Sequence, residues 1–161
     1  MFKKPSKTKQ PDSVDHAYNY ALFLVGLSMR TESEMRRKMA VRGYNENVIK
    51  QVIKQLYAEK LLDDRNYAEV YIRNLKEYRS FGFYGIKKKL MEKNLPAGDI
   101  EELLETELTP AEELKIGKKF MAKELRGDYK KSDLTQEAKQ KLARKLQARG
   151  FRGDAVAKLI F

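Results

Sequence analysis

The chain has 161 residues, 35% of them charged, with one His, no Cys, no Trp and a formal net charge of +11. Without cysteine there is no disulfide framework, thiolate metal site or cysteine nucleophile, and a single histidine excludes a His-based triad or a multi-His metal site. The apolar run Ala21 to Leu27 is far shorter than the roughly 20 residues that span a bilayer, and no apolar segment follows the N-terminal lysines. A soluble, unexported, cytoplasmic chain is expected, and its positive charge favours a polyanion or an acidic protein surface as partner.

Taken in order, Met1 to Ser13 carries Lys3, Lys4, Lys7 and Lys9 with two prolines and little that is apolar, so residues 1–14 read as a flexible basic tail. From Asp15, the positions Ala17, Tyr18, Ala21, Leu22, Leu24 and Val25 form a helical stripe that ends near Gly26 to Ser28. Thr31 and Glu34 have the spacing of a capping box for a second helix, and Asn45 is the predicted N-cap of a third, through Val48, Val52, Leu56 and Tyr57. In Leu61-Leu62-Asp63-Asp64 the carboxylates read as helix caps rather than as metal or acid–base groups, with Asp63 as N-cap and Leu62 stapled to Tyr67. Tyr67, Ala68, Tyr71, Ile72 and Leu75 then make a fourth helix.

The stretch Tyr78 to Gly85, YRSFGFYG, gathers aromatics and glycines beside Arg79. Packing between neighbouring repeats is its favoured use, and a stacking surface for unpaired bases is the other. It lacks any phosphate-cradling glycine fingerprint. Pro96 to Thr106 is an acidic helix with Asp99, Glu101, Glu102 and Glu105 on a solvated face, and Thr109-Pro110-Ala111-Glu112 opens a helix that stops at Gly127. No segment alternates with period two for long enough to be a strand, so the predicted fold is all-α.

One pattern recurs. Residues 34–53, 85–104 and 141–160 superpose without gaps into apolar columns Met35/Ile86/Leu142, Met39/Leu90/Leu146, Tyr44/Leu95/Phe151, Ile49/Ile100/Val156, Val52/Leu103/Leu159 and Ile53/Leu104/Ile160. A turn column, Gly43/Asn94/Gly150, lies where a helix must end in a left-handed residue. The copies predict three tandem three-helix repeats, residues 15–62, 63–108 and 109–161, each too small to hide its own apolar stripe and stacked into an elongated, curved array.

Three further columns are basic throughout: Arg37/Lys88/Arg144, Lys38/Lys89/Lys145 and Arg42/Lys93/Arg149. At about 100° per residue the first points away from the apolar stripe and the second lies on its flank, while the third falls in the last turn, where cations complement the helix dipole. Covering apolar surface with aliphatic stems is a sufficient role for the flank set. The outward set has no such structural reason and is the candidate partner surface.

The strings Leu27-Ser28-Met29-Arg30 before Ser33-Glu34-Met35, Leu61-Leu62-Asp63-Asp64 with Tyr67-Ala68 and Tyr71-Ile72-Arg73, and Arg79-Ser80-Phe81-Gly82 before Ile86 and Leu90 resemble the RecX family of recombination regulators. The likeness runs from about Ala17 to Phe161 and is strongest in the first two copies; Asn94 stands where that family commonly has glycine. It implies three tandem three-helix repeats and a non-enzymatic protein that binds the RecA filament on DNA, in its helical groove, and usually lowers its ATPase, strand-exchange and coprotease activities in recombination, repair and the SOS response. It supplies no contact residues. The expected partner-binding set is therefore Arg37, Lys38, Lys88, Lys89, Arg144 and Lys145, with Arg30 and Arg79, in a monomer without catalytic residues, metal or cofactor. The alternative is a module that binds single- or double-stranded DNA directly. Against it as a sequence reader, Glu101, Glu102 and Glu105 would face phosphates, and only the first copy has accessible lysines, Lys50 and Lys54, on its third helix.

Overall fold

The computed structural model describes residues 6–161, and every long regular element among them is an α-helix. In chain order these are α1 Val14–Leu27, α2 Glu32–Arg42, α3 Glu46–Ala58, α4 Asp64–Asn74 (prolonged by a π-helical turn, Leu75–Arg79), α5 Phe83–Met91, α6 Ala97–Glu107, α7 Pro110–Leu125, α8 Gln136–Ala148 and α9 Gly153–Ile160. A short 3-10 turn, Lys131–Asp133, precedes α8. The all-α repeat architecture expected from the columns is the one found.

The chain divides into two compact units, one within Met1–Tyr67 and Lys93–Leu95, the other comprising Ala68–Glu92 and Pro96–Phe161. In the first, α1 and α2 both pack on α3, which buries Val48, Ile49, Val52, Ile53 and Leu56 along one stripe. In the second, α9 packs on α7 and α8, and α5 on α6. Every residue of the apolar columns is buried. Each large aliphatic side chain withdrawn from water in this way contributes about 1.5–3 kcal/mol, and this sum holds together helices that would be marginal alone.

All three turn positions are left-handed, with φ of +97° at Gly43, +55° at Asn94 and +78° at Gly150. Glycine takes that conformation without cost, and asparagine at a smaller penalty than most residues. Asn94 adds a side-chain bond, its Nδ2 donating to Ser33 Oγ at 3.2 Å.

Cap chemistry follows the predictions in part. Thr31 Oγ1 accepts from Glu34 N at 3.2 Å, Thr109 Oγ1 from Glu112 N at 3.3 Å, and Asp63 Oδ1 from Asn66 N at 2.9 Å. The reciprocal half of the expected Thr31/Glu34 capping box is replaced, because Glu34 Oε1 accepts instead from Lys93 Nζ at 2.6 Å. Asn45 holds the N-cap position of α3 without a side-chain cap bond, and its Nδ2 donates to Asp12.

That last contact corrects the reading of residues 1–14 as a flexible tail. Met1–Pro5 lies outside the described residues, but the segment from Ser6 to Ser13 is fastened over the turn between α2 and α3. Thr8 N donates to Arg42 O at 2.7 Å, Asn45 N donates to Pro11 O at 3.0 Å, and the Arg42 guanidinium donates to Ser6 O. Ser13 then caps α1 by accepting from His16 N at 3.2 Å. The segment has few apolar groups to bury, and it is held by backbone groups that the ends of α2 and α3 leave open.

Candidate functional site

The basic columns separate by what their side chains touch. In the last-turn set each cation is occupied. Arg42 reaches Ser6 and lies 5.4 Å from the Tyr20 ring centroid. Lys93 pairs with Glu34 and lies 5.8 Å from Tyr67, and the hydrogen bond from Lys93 to Glu34 is the main cause that holds its ammonium pKa above the ordinary lysine value. Arg149 donates to Arg79 O and lies 4.8 Å from the Phe120 centroid and 5.7 Å from that of Phe81. The expected dipole role understates this set, whose members fasten other segments to the turns.

In the flank set, Lys89 pairs with Glu92 at 2.9 Å and Lys145 pairs with Glu124, while Lys38 is half-buried. Hydrogen bonding to Lys145, with the nearby charges of Arg149 and Lys123, holds the Glu124 carboxyl below its usual pKa. Arg30 is half-buried and turned inward, with Nε donating to Leu24 O at 3.3 Å near the end of α1. Those contacts give Arg30 a structural reason that its sequence context did not reveal.

The outward set differs. Arg37, in the first unit, and Lys88 and Arg144, in the second, are all exposed, and none has a carboxylate partner among the described residues. Arg79 is also exposed at its side chain and borders a hollow of about 450 Å³ with Tyr78, Phe81, Phe120, Lys123 and Arg149.

The carboxylates flagged in the sequence are caps. Asp63 caps its own helix, and Asp64 Oδ1 accepts from Glu32 N, the first residue of α2, at 2.8 Å. One carboxylate that sequence reasoning passed over does more. Glu113 is fully buried; its Oε1 accepts from Phe83 N and from Arg152 N, both at 3.0 Å, and its Oε2 from Arg152 Nε at 2.5 Å. Phe83 opens α5, whose N-cap is Gly82, and Arg152 is the N-cap of α9; neither cap residue supplies a side-chain bond. A single anion on α7 thus caps two helices, complements both dipoles and neutralises Arg152. No group of three or more His, Cys, Asp or Glu side chains suited to a metal ion occurs among the described residues. No helix among them is long and apolar enough to cross a membrane.

Residues 17–56 match the family description RecX, first three-helix domain. A Regulatory protein RecX of Leuconostoc mesenteroides is 30% identical over 118 residues, which are 73% of this chain and 44% of that protein. One of Geobacillus kaustophilus is 31% identical over 112 residues, covering 70% and 41%. The crystal structure of RecX from Lactobacillus salivarius superposes with a TM-score of 0.78 at 25% identity, over 91% of this chain and 94% of that one. The chain belongs to the RecX family. It spans less than half the length of these curated RecX relatives, which are named as regulatory proteins. A second RecX crystal structure gives a TM-score of 0.75, also at 25% identity, over 91% of this chain and 70% of the other.

Proposed function

We propose that this RecX-family protein is a non-enzymatic, cytoplasmic, monomeric regulator that binds the RecA filament on DNA and lowers its ATPase, strand-exchange and coprotease activities. Family membership supports this reading, and the observation that carries it to residues is the outward column. Of the cations that recur in register, Arg37, Lys88 and Arg144 are exposed without a carboxylate partner among the described residues, whereas most of the others already hold a segment or an anion. With repeats at residues 15–62, 63–108 and 109–161, each presents one such cation to acidic side chains or phosphates of the target.

One exposed ion pair is worth only about 0.2–1 kcal/mol, so no single cation would hold the complex. Several contacts on one chain act together, because the first raises the effective concentration of the rest, and unpaired rim charges also speed encounter. Direct DNA binding without RecA is the competing outcome. The exposure of Glu101, Glu102 and Glu105 on α6 disfavours insertion of that helix between phosphate backbones.

The test is the ATPase of RecA on single-stranded DNA with the protein added, wild type against a variant carrying Arg37→Glu, Lys88→Glu and Arg144→Glu. The wild type is expected to lower turnover and the triple variant to lose most of that effect. A wild type that neither binds RecA nor changes turnover would refute the function. Inhibition undiminished by the triple change would refute the residue assignment alone. Binding that collapses between low and physiological salt with RecA absent would favour the phosphate-only alternative.

A further inference from the structure

Helix α1 is apolar on the side it hides and on much of the side it shows. Ala17, Ala21 and Leu24 are buried, and at about 100° per residue Leu22, Phe23 and Gly26 fall on the opposite side, where all three are exposed. Phe23 is 60% exposed and Leu27 61%. From Ala17 to Ser28 the chain has no charged residue, although 35% of all its residues are charged. A helix at the surface of a globular domain ordinarily carries its charges on the face away from the core, and one that is apolar all round is ordinarily covered on all sides. Gly26 lies one turn after Leu22 and Phe23, and a Cβ there would meet nothing within 4 Å, so the space above it is open among the described residues.

Next to this face, within the first unit, lies a hollow of about 290 Å³ between the end of α1 and the connection from α3 to α4. Val25, Met29, Leu61 and Leu62 form its apolar lining, with Met29 and Leu61 exposed. Its charged groups are unevenly matched. Asp63, its one carboxylate, is occupied in capping α4 through Asn66 N, whereas Arg30 and Lys60 have no carboxylate partner among the described residues. Lys60 also stands in the left-handed region, at φ +57°. Ending α3 needs only that conformation, which glycine would take without strain; the lysine adds a cation to the hollow's lining.

We propose, resting on the reading of RecA as partner, that this face of the first unit is a second and apolar contact surface for the RecA filament. It takes an apolar protein segment that bears a carboxylate, with the apolar side chains on Leu22, Phe23, Gly26 and Leu27 and the carboxylate on Lys60. Charge separates the occupants. A second copy would bring a net charge of +11 against its own, and phosphates would find two cations beside an uncharged helix, whereas an apolar segment with a carboxylate matches both parts of the surface. The two contact surfaces differ in strength as well. An exposed ion pair changes affinity by about fivefold at most, so the outward cations chiefly speed the encounter, while an aromatic and aliphatic patch that sheds its water on contact slows release.

The experiment measures affinity of the full chain for RecA filaments on single-stranded DNA at about 50 and 300 mM salt. A variant carrying Phe23→Ser and Leu27→Ser should lose about tenfold or more at both salts, because apolar contact is not screened, and Phe23→Leu should keep most of the affinity. The variant carrying Arg37→Gln, Lys88→Gln and Arg144→Gln should instead lose most at the lower salt. Lys60→Glu should weaken binding about two- to fivefold. Circular dichroism melting should show the serine variant and Lys60→Glu as stable as the wild type, since the three side chains are exposed. Undiminished binding by either of these variants, or a loss in the serine variant that disappears at the higher salt, would overturn the proposal and leave the proposed function standing; a wild type that binds no filament would remove both. Sedimentation of the wild type as a dimer that the serine variant separates would assign the face to a second copy, and binding to phosphatidylglycerol vesicles that the serine variant abolishes would assign it to a membrane; either would overturn the proposal.

Discussion

The turn after α2 and the turn after α8 are the same device covered in two ways. Each ends a helix on a left-handed glycine, Gly43 or Gly150, preceded by an arginine whose guanidinium lies beside aromatic rings and donates to a backbone carbonyl of the covering segment. Over the first lies the segment Ser6–Pro11, with Thr8 N on Arg42 O. Over the second lies Arg79–Gly85, with Gly82 N on Arg149 O at 3.0 Å and Tyr84 N on Gly150 O at 2.8 Å. The closeness differs. A Cβ on Gly43 would meet nothing nearer than 3.7 Å, whereas one on Gly150 would lie 2.0 Å from Gly85 N. At Gly43 only the backbone conformation calls for glycine, while at Gly150 conformation and space both do.

The largest effect is expected from the second unit's other support. Glu113→Ala would leave Arg152 without its anion and two helix starts without a cap, a loss of about 3–5 kcal/mol of the kind seen when one partner of a buried pair is removed. A urea midpoint displaced by less than Glu112→Ala displaces it would remove Glu113 from this role. Next comes the glycine pair. Gly150→Ala combines left-handed strain with over-packing, about 2–5 kcal/mol, and Gly43→Ala carries the strain alone, about 1–2 kcal/mol. Amide hydrogen exchange would localise the two losses, with Gly150→Ala loosening α5, α8 and α9, and Gly43→Ala loosening α2 and α3. Equal losses would mean that the closer approach at Gly150 relaxes without cost.

A smaller effect separates the ion pair of the third turn. Glu34 raises the pKa of Lys93, so the pair's contribution is full below the ordinary lysine pKa of about 10.4 and is lost as pH rises through the higher folded value. Lys93→Met should therefore cost about 0.5–1 kcal/mol at pH 7, and the gap to wild type should close at strongly alkaline pH. Thermal melts at pH 7, 9 and 11 check the sign, and a gap that widens with pH would reverse it.

These comparisons also mark what was legible beforehand. Burial of the apolar columns and the left-handed turns could be read because periodicity and glycine placement are local consequences of helix geometry. Asp63 and Thr109 were legible as caps for the same reason, since each bonds three residues ahead. Glu113 was not, because its partners lie 30 and 39 residues away and nothing in its helix distinguishes it from its half-buried neighbour Glu112. Glu34 was misjudged likewise, as Lys93 takes its carboxylate from across 59 residues. The fastening of Ser6–Ser13 rests on backbone groups, which leave no trace in side-chain composition. Within the candidate site, exposure of the outward cations followed from helix phase, whereas the inward turn of Arg30 onto Leu24 O did not.

The central claim is that, among cations repeated in register, the exposed column without carboxylate partners meets the partner, and the columns whose members are mostly paired or half-buried serve the fold. Its most direct test is the affinity for RecA filaments of two neutralised variants, one carrying Arg37→Gln, Lys88→Gln and Arg144→Gln, the other Lys38→Gln, Lys89→Gln and Lys145→Gln. The account predicts a loss of about tenfold or more for the first with unchanged melting, and a clearly smaller loss for the second. Equal losses, or a greater loss from the flank column, would contradict it.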